Sequence, residues 1–117
     1  MSVAAARKVT IAFTGDFVAT NEFNAASNTL SPGQTDVITL PTGATTITPP
    51  TGGSSPMAVT VIPPSTNTIA LTLKGIAADT GIGLHLTDPT SIGLASTTAT
   101  FVLSAASTIT GVRLIWT

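Results

Sequence analysis

The feature that most constrains the fold is a period-two alternation of apolar and polar residues. Successive side chains of a strand point to opposite faces, so this period is typical of half-buried β-strands. It recurs in the segments KVTIAFTG, TDVITL, MAVTVI, TIALTLKG, GLHL, TATFVLS and GVRLIWT. No window carries the 3.6-residue apolar period of an amphipathic helix, and the alanine runs at 4–6 and 105–106 are too short to nucleate one.

Turn residues separate these alternating segments, which predicts short antiparallel strands. A chain of 117 residues is one domain's worth. We therefore predict an all-β fold: a single antiparallel β-sandwich or jelly-roll-like domain over residues 1–117. The turn signals are Ser31-Pro32-Gly33, Pro41-Thr42-Gly43, Pro63-Pro64, Lys74-Gly75 and Asp88-Pro89.

Two segments interrupt the pattern. Residues 40–64 hold six of the eight prolines, and proline removes donors from a strand ladder, so we expect 41–56 to be an exposed loop or a ragged edge. Residues 1–8 precede the first alternating strand, and we expect them to form an N-terminal arm. Both segments are predicted to reach neighbouring subunits.

The composition limits the partners. Charged residues are only 8% of the chain, against about 25% in an average protein. Lysine and arginine total 4 and the net charge is -1, too little positive charge to neutralise a row of phosphates. There is no apolar stretch of membrane-spanning length and no signal-peptide pattern at the start. We predict no nucleic-acid and no membrane partner.

No cofactor or metal is expected either. The chain has no cysteine, which excludes disulfides, thiol chemistry and thiolate zinc sites. The carboxylates form no Asp-x-Asp run, and no phosphate-cradling glycine motif is present.

The tripeptide Asp79-Thr80-Gly81 is the active-site signature of aspartic proteases, whose small viral members are homodimers. That pattern also has alanine or serine after the glycine and two strongly apolar residues before the aspartate. Here Ile82 follows, and Ala77 and Ala78 precede. We predict an acidic turn between two strands, with a homodimeric aspartic protease using Asp79 as the remote alternative.

His85 is the single histidine. As a catalytic base it would need Asp88 or Asp79 as its orienting carboxylate and a serine nucleophile, and no G-x-S-x-G elbow is present. We predict a hydrogen-bonded structural or interface histidine, with a catalytic base and a pH-sensitive contact as the alternatives. No catalytic residue is assigned, and the protein is predicted not to be an enzyme.

Trp116, on the last alternating segment, has two interpretations. It is either a core anchor at the end of the sandwich or an anchor of a subunit interface, since tryptophan and arginine are favoured there. Arg113 alternates with it and can face a partner. The predicted interface residues are Arg7, Lys8, Arg113 and Trp116.

Residues 67–117 resemble small β-rich accessory proteins of tailed-bacteriophage particles. The resemblance lies in NTIALTLKGIAADTGIGLHLTDPTSIGL, the ending STITGVRLIWT, the threonine-rich alternation and the absence of cysteine. It implies a virion structural protein assembled in the host cytoplasm, most simply a capsid decoration (cement) protein. The partners implied are the major capsid protein or other virion proteins and further copies of the chain, commonly as a trimer. A neck, tail or fibre-attachment component is the alternative.

Overall fold

Every regular element in the described part of the chain is a β-strand. A computed structural model describes residues 3–5, 8–13, 19–24, 28–30, 35–50 and 56–117. The all-β prediction is confirmed. The strands are β1 (Val3–Ala5), β2 (Lys8–Phe13), β3 (Ala19–Asn24), β4 (Asn28–Leu30), β5 (Thr35–Leu40), β6 (Gly43–Ile47), β7 (Ala58–Ile62), β8 (Leu71–Lys74), β9 (Ile82–Gly83), β10 (Thr90–Gly93), β11 (Phe101–Ala105) and β12 (Ile109–Trp116).

Two four-stranded antiparallel sheets pack face to face as a β-sandwich, as predicted. The first sheet has the order β10-β7-β12-β5 and the second has the order β6-β11-β8-β9. The edge strands are therefore β10 and β5 in the first sheet, and β6 and β9 in the second. Both sheets are built from the part of the chain that follows residue 34.

The inner faces of the two sheets form one core, and the period-two alternation accounts for it. In β12 the buried Val112, Leu114 and Trp116 alternate with the exposed Arg113 and the half-buried Ile115. The core cluster consists of Leu40, Ile47, Val59, Val61, Leu71, Phe101, Leu103, Ala105, Ile109, Val112, Leu114 and Trp116.

The alternation in β12 is reset once, at Gly111. The pairing with β5 shifts between Thr110 and Val112, which is the signature of a β-bulge. Gly111 has a φ of +83°, a conformation that glycine adopts without strain. Because the bulge adds one residue, both Ile109 and Val112 are buried in the core, although an uninterrupted strand would place them on opposite faces.

The first four strands pair only with one another in the described ladders. β1 pairs with β4 and, nested within the loop that this pair closes, β2 pairs with β3, both antiparallel. We call β1–β4 the N-terminal ribbon. The predicted arm, residues 1–8, thus contains β1 and the first residue of β2, while residues 1–2 and 6–7 lie outside the described residues.

The predicted strands differ from the observed ones in two places. The prediction of a strand over GLHL, residues 83–86, is wrong beyond Gly83. The Leu84 N–H still donates to the Leu71 carbonyl, but residues 86–88 form a bend in which two backbone N–H groups donate to the His85 ring. Within the predicted loop at 41–56, residues 43–47 form β6, an edge strand, and residues 51–55 lie outside the described residues. The described part of the chain contains no helix that is long and apolar enough to cross a membrane.

Candidate interaction surfaces

Asp79-Thr80-Gly81 closes the turn between β8 and β9. The Asp79 carboxylate accepts a hydrogen bond from the Ile76 backbone N–H at 3.0 Å, and the Asp79 N–H donates to the Ile76 carbonyl at 3.1 Å. Gly81 has a φ of +78°, and a Cβ atom there would lie 2.5 Å from the Leu73 carbonyl oxygen. The tripeptide therefore has a structural explanation: its aspartate bonds the turn backbone, and its glycine lets β9 approach β8.

His85 bonds the next turn in a similar way. Its Nδ1 atom accepts the backbone N–H groups of Thr87 and Asp88, at 3.2 and 2.9 Å. The Asp88 carboxylate lies 3.8 Å from the same nitrogen. The His85 ring therefore acts as the hydrogen-bond acceptor for the backbone of this turn. The His85 side chain is hydrogen-bonded, as predicted, and its role at an interface stays a prediction.

Asn67, for which the sequence pattern predicts no role, stabilises the connection between β7 and β8. Its side-chain amide donates to the carbonyls of Ile69 and Leu86, at 3.0 and 2.7 Å, and its carbonyl oxygen accepts the Ile69 N–H at 3.1 Å. A residue only 9% exposed thus has partners for both donors and for its acceptor, as buried polar groups require. The bond to Leu86 joins this connection to the His85 turn.

Trp116 closes the side of the sandwich between β5 and β6. We call this side the β5–β6 flank. The indole is 2% exposed, and its N–H donates to the Asp36 carboxylate at 3.1 Å. The indole ring contacts the Phe101 ring at a tilted 53°, with centroids 6.5 Å apart. Next to this closure lies a cavity of about 310 Å³, whose lining includes Ile47 and several threonines. The core-anchor interpretation of Trp116 is confirmed.

An apolar groove of about 640 Å³ lies on the opposite side of the sandwich, between β9 and β10. We call this side the β9–β10 flank. Ile82 from β9 and Ile92 from β10 lie on opposite walls, with Leu73 and Phe101 between them. Ile82 is 68% exposed, whereas Phe101 is 7% exposed. Lys74 and the Asp79 turn form part of the rim.

The outer face of the first sheet is weakly charged. Its centre is Arg113, which is exposed and pairs in register with Val37 on β5 and Ile62 on β7. Among the described residues Arg113 has no ion-pair partner, and it is the charged residue of this face. The same register and alternation bring other uncharged, mostly β-branched residues to this face: Thr35, Thr39, Thr60, Ser91, Thr110 and Ile115.

Of the four predicted interface residues, Arg113 and Trp116 lie on opposite faces of β12. Arg7 lies outside the described residues, and Lys8 is exposed at the start of β2. Arg113 is exposed on the first sheet, while Trp116 is enclosed by this chain's own core. The interface role of these residues stays a prediction.

Among the described residues, no three of the histidine, aspartate and glutamate side chains are grouped so that they could hold a metal ion. No protein-family model, no curated protein and no solved structure matches the chain.

Proposed function

We propose that this chain is a non-catalytic structural protein of a tailed-bacteriophage particle, which decorates the capsid through protein–protein contacts. The observation that carries the proposal is the outer face of the first sheet. It is weakly charged, rich in β-branched residues and centred on Arg113, which has no ion-pair partner among the described residues. Interfaces are depleted in charge at their centre, and arginine is among the residues that contribute most binding energy there.

Many copies of such a face, each making the same contact, can together stabilise a capsid. A contact of modest affinity, repeated over many copies on one lattice, reinforces the lattice by multivalency. With a net charge of -1, the chain also adds little electrostatic repulsion when many copies crowd on one surface.

The test is rebinding of the purified chain to particles that lack it. Arg113→Gln is expected to weaken rebinding by about fivefold or more, because a central arginine contributes more than about 1 kcal/mol to such interfaces. Lys74→Gln is the matched control, because it removes the same charge at the rim of the β9–β10 flank, away from this face. Equal effects of the two variants, or no rebinding by the unchanged chain, would overturn the proposal.

Copy number separates the capsid from the alternative, a neck or tail component. Decoration predicts on the order of hundreds of copies per particle, and a lower thermal rupture threshold when the protein is absent. A ring in the neck or tail would hold about six or twelve copies, matching its cyclic symmetry.

The remote alternative, a homodimeric aspartic protease, is tested by Asp79→Asn. An amide oxygen can accept the Ile76 N–H in place of the carboxylate, so the turn should persist. We expect no peptide cleavage by either protein. Cleavage by the unchanged chain that is lost in the variant would establish the protease.

A further inference from the structure

A pocket of about 300 Å³ lies beside Arg113, at one end of the outer face of the first sheet. Three segments line it: the end of β7 with the turn that follows, the bulge of β12, and the bend between β9 and β10. Among the described residues that line it, Arg113 carries the one charge, and Ser65 and Thr87 contribute hydroxyl groups. The pocket thus differs from the apolar groove of the β9–β10 flank in the hydrogen-bond donors that surround it.

These donors have no partner within the described part of the chain. The Arg113 guanidinium and the hydroxyl groups of Ser65 and Thr87 make no hydrogen bond or ion pair with another described residue. A guanidinium can only donate hydrogen bonds, and each hydroxyl can donate one. A group that binds between them must therefore offer acceptors, and a negative charge on that group would pair with Arg113.

Asn67 joins two of the lining segments. Its backbone N–H donates to the Pro64 carbonyl at 3.0 Å and closes the turn that carries Ser65. Its side-chain amide donates to the Leu86 carbonyl at 2.7 Å, next to Thr87 in the bend. The two segments that supply the hydroxyl groups are therefore held together by hydrogen bonds of the chain itself.

The bulge of β12 packs against the same turn. A Cβ atom at Gly111 would lie 3.9 Å from the Pro64 Cγ atom, an ordinary van der Waals distance. Arg113 follows two residues later and is opposite Ile62, the last residue of β7, in the strand register. Prolines 63 and 64 come next and have fixed φ angles. A lining that is ordered before it binds loses less conformational entropy on binding.

We infer that this pocket binds a carboxylate, the side chain of an aspartate or glutamate on a partner protein. The two carboxylate oxygens match the planar fork of a guanidinium, and hydroxyl groups can donate to the lone pairs that remain. Charge complementarity supports this choice, because no described carboxylate neutralises Arg113 and an acidic partner would do so when it covers the face. For its partner the inference rests on the proposed role of the outer face, to which it adds the chemistry of the contact.

A carboxylate fits this pocket better than the phosphates of a nucleic acid. Nucleic-acid binding uses several cations along a row of phosphates, whereas this lining has one arginine and the whole chain has a net charge of -1. One carboxylate carries one charge, which Arg113 alone can match. The nearby Asp88 does not fill this role, since its carboxylate lies 3.8 Å from the His85 ring and forms no ion pair with Arg113.

The first test uses the isolated chain, labelled with ¹⁵N, and a short capped peptide with glutamate at its centre. The chain has two arginines, Arg7 and Arg113, so the Nε–H signal of Arg113 is identified by its loss in Arg113→Gln. The glutamate peptide should shift this signal saturably, and the matched glutamine peptide should bind about tenfold more weakly, because it lacks the charge. Arg113→Lys should weaken binding of the glutamate peptide about fivefold, since an ammonium lacks the planar fork.

Three results of this titration would overturn the inference. They are the absence of a saturable shift, equal binding of the two peptides, and binding of inorganic phosphate as tight as that of the glutamate peptide.

The second test removes one hydroxyl group from the lining. Ser65→Ala should raise the dissociation constant of the glutamate peptide about fivefold, because a hydrogen bond to a charged acceptor is lost. Ser96→Ala is the matched control: Ser96 is also exposed, but it lies between β10 and β11 and does not line the pocket. Equal dissociation constants for the two variants would contradict the predicted arrangement of donors.

Rebinding to particles that lack the protein separates this inference from the proposed function. If the glutamate peptide binds but the unchanged chain does not rebind, the carboxylate pocket stands and the proposed function fails. If Arg113→Gln loses rebinding while the glutamate peptide does not bind and Ser65→Ala rebinds as well as Ser96→Ala, the outer face is an interface and the carboxylate pocket is wrong.

Discussion

The two flanks of the sandwich differ in how well side chains cover the hydrophobic core that lies between the sheets. At the β5–β6 flank one large aromatic residue, Trp116, fills the space between the sheets, and its polar tip meets Asp36 at the edge. At the β9–β10 flank aliphatic side chains on short edge strands leave a groove about twice as large as the cavity on the other side. An amphipathic aromatic can close a sandwich flank without another strand, whereas short aliphatic side chains leave a groove there.

The largest expected effect comes from opening the closed flank. Trp116→Ala should lower the free energy of unfolding by about 3–5 kcal/mol, because it removes a fully buried aromatic and its contact with Phe101. Urea denaturation followed by circular dichroism measures the change. Trp116→Phe is the control, since it keeps a ring and loses the N–H donor, and it should cost less. A loss below about 1 kcal/mol for the alanine variant would show that Trp116 does not close the flank.

The second prediction concerns the turn that positions β9. Gly81→Ala should destabilise the fold by about 1–2 kcal/mol from its positive φ alone. The approach of Cβ to the Leu73 carbonyl adds to this, because backbone atoms cannot give way easily.

Two other glycines separate these contributions. Gly43 has a φ of +101° and nothing near its Cβ position, so Gly43→Ala should show the effect of φ alone. Gly83 has neither constraint, so Gly83→Ala should be nearly neutral. The expected loss of stability is largest for Gly81→Ala, smaller for Gly43→Ala and smallest for Gly83→Ala. A different order would mean that the close approach of β9 to β8 is not the reason why glycine is required at position 81.

The third prediction tests the polar tip of the closed flank. Asp36→Ala should cost about 1 kcal/mol, because the indole N–H loses a charged acceptor while the adjacent cavity can admit water as a substitute. Asp36→Asn retains an acceptor oxygen and should cost less, as measured by the same urea denaturation. Equal costs for the two variants would mean that the hydrogen bond contributes nothing beyond packing.

The sequence predicts the strands in which apolar and polar residues alternate. It does not predict the strands that are defined only by their pairing with a neighbouring strand. TDVITL and GVRLIWT predict β5 and most of β12 because their apolar residues recur at every second position. β10, with the sequence TSIG, was not predicted, since a single isoleucine gives no period. β3, with the sequence ATNEFN, has polar residues at successive positions, and only its pairing with β2 defines it.

The flanks could not be predicted from the sequence for a related reason. Which strands become edges depends on pairings between residues far apart in the chain, and no local pattern encodes that order. Asp36 and Trp116, which close one flank, are 80 positions apart. Trp116 could therefore be predicted as a core anchor, but neither its hydrogen-bond partner nor the open groove on the other side could be.

The smallest expected effect on stability is at the β9–β10 flank. An isoleucine-to-threonine substitution there can be compared with the same substitution on the β5–β6 flank. Ile82→Thr should change the free energy of unfolding by no more than about 0.5 kcal/mol, because the side chain is already 68% exposed. Ile47→Thr, at 6% exposure on the β5–β6 flank, should cost about 1–3 kcal/mol, since it buries a hydroxyl without an assured partner. Both are measured by urea denaturation at a concentration low enough for the chain to be monomeric. A cost at Ile82 equal to that at Ile47 would show that the groove is already covered within one chain, and the distinction between the flanks would fail.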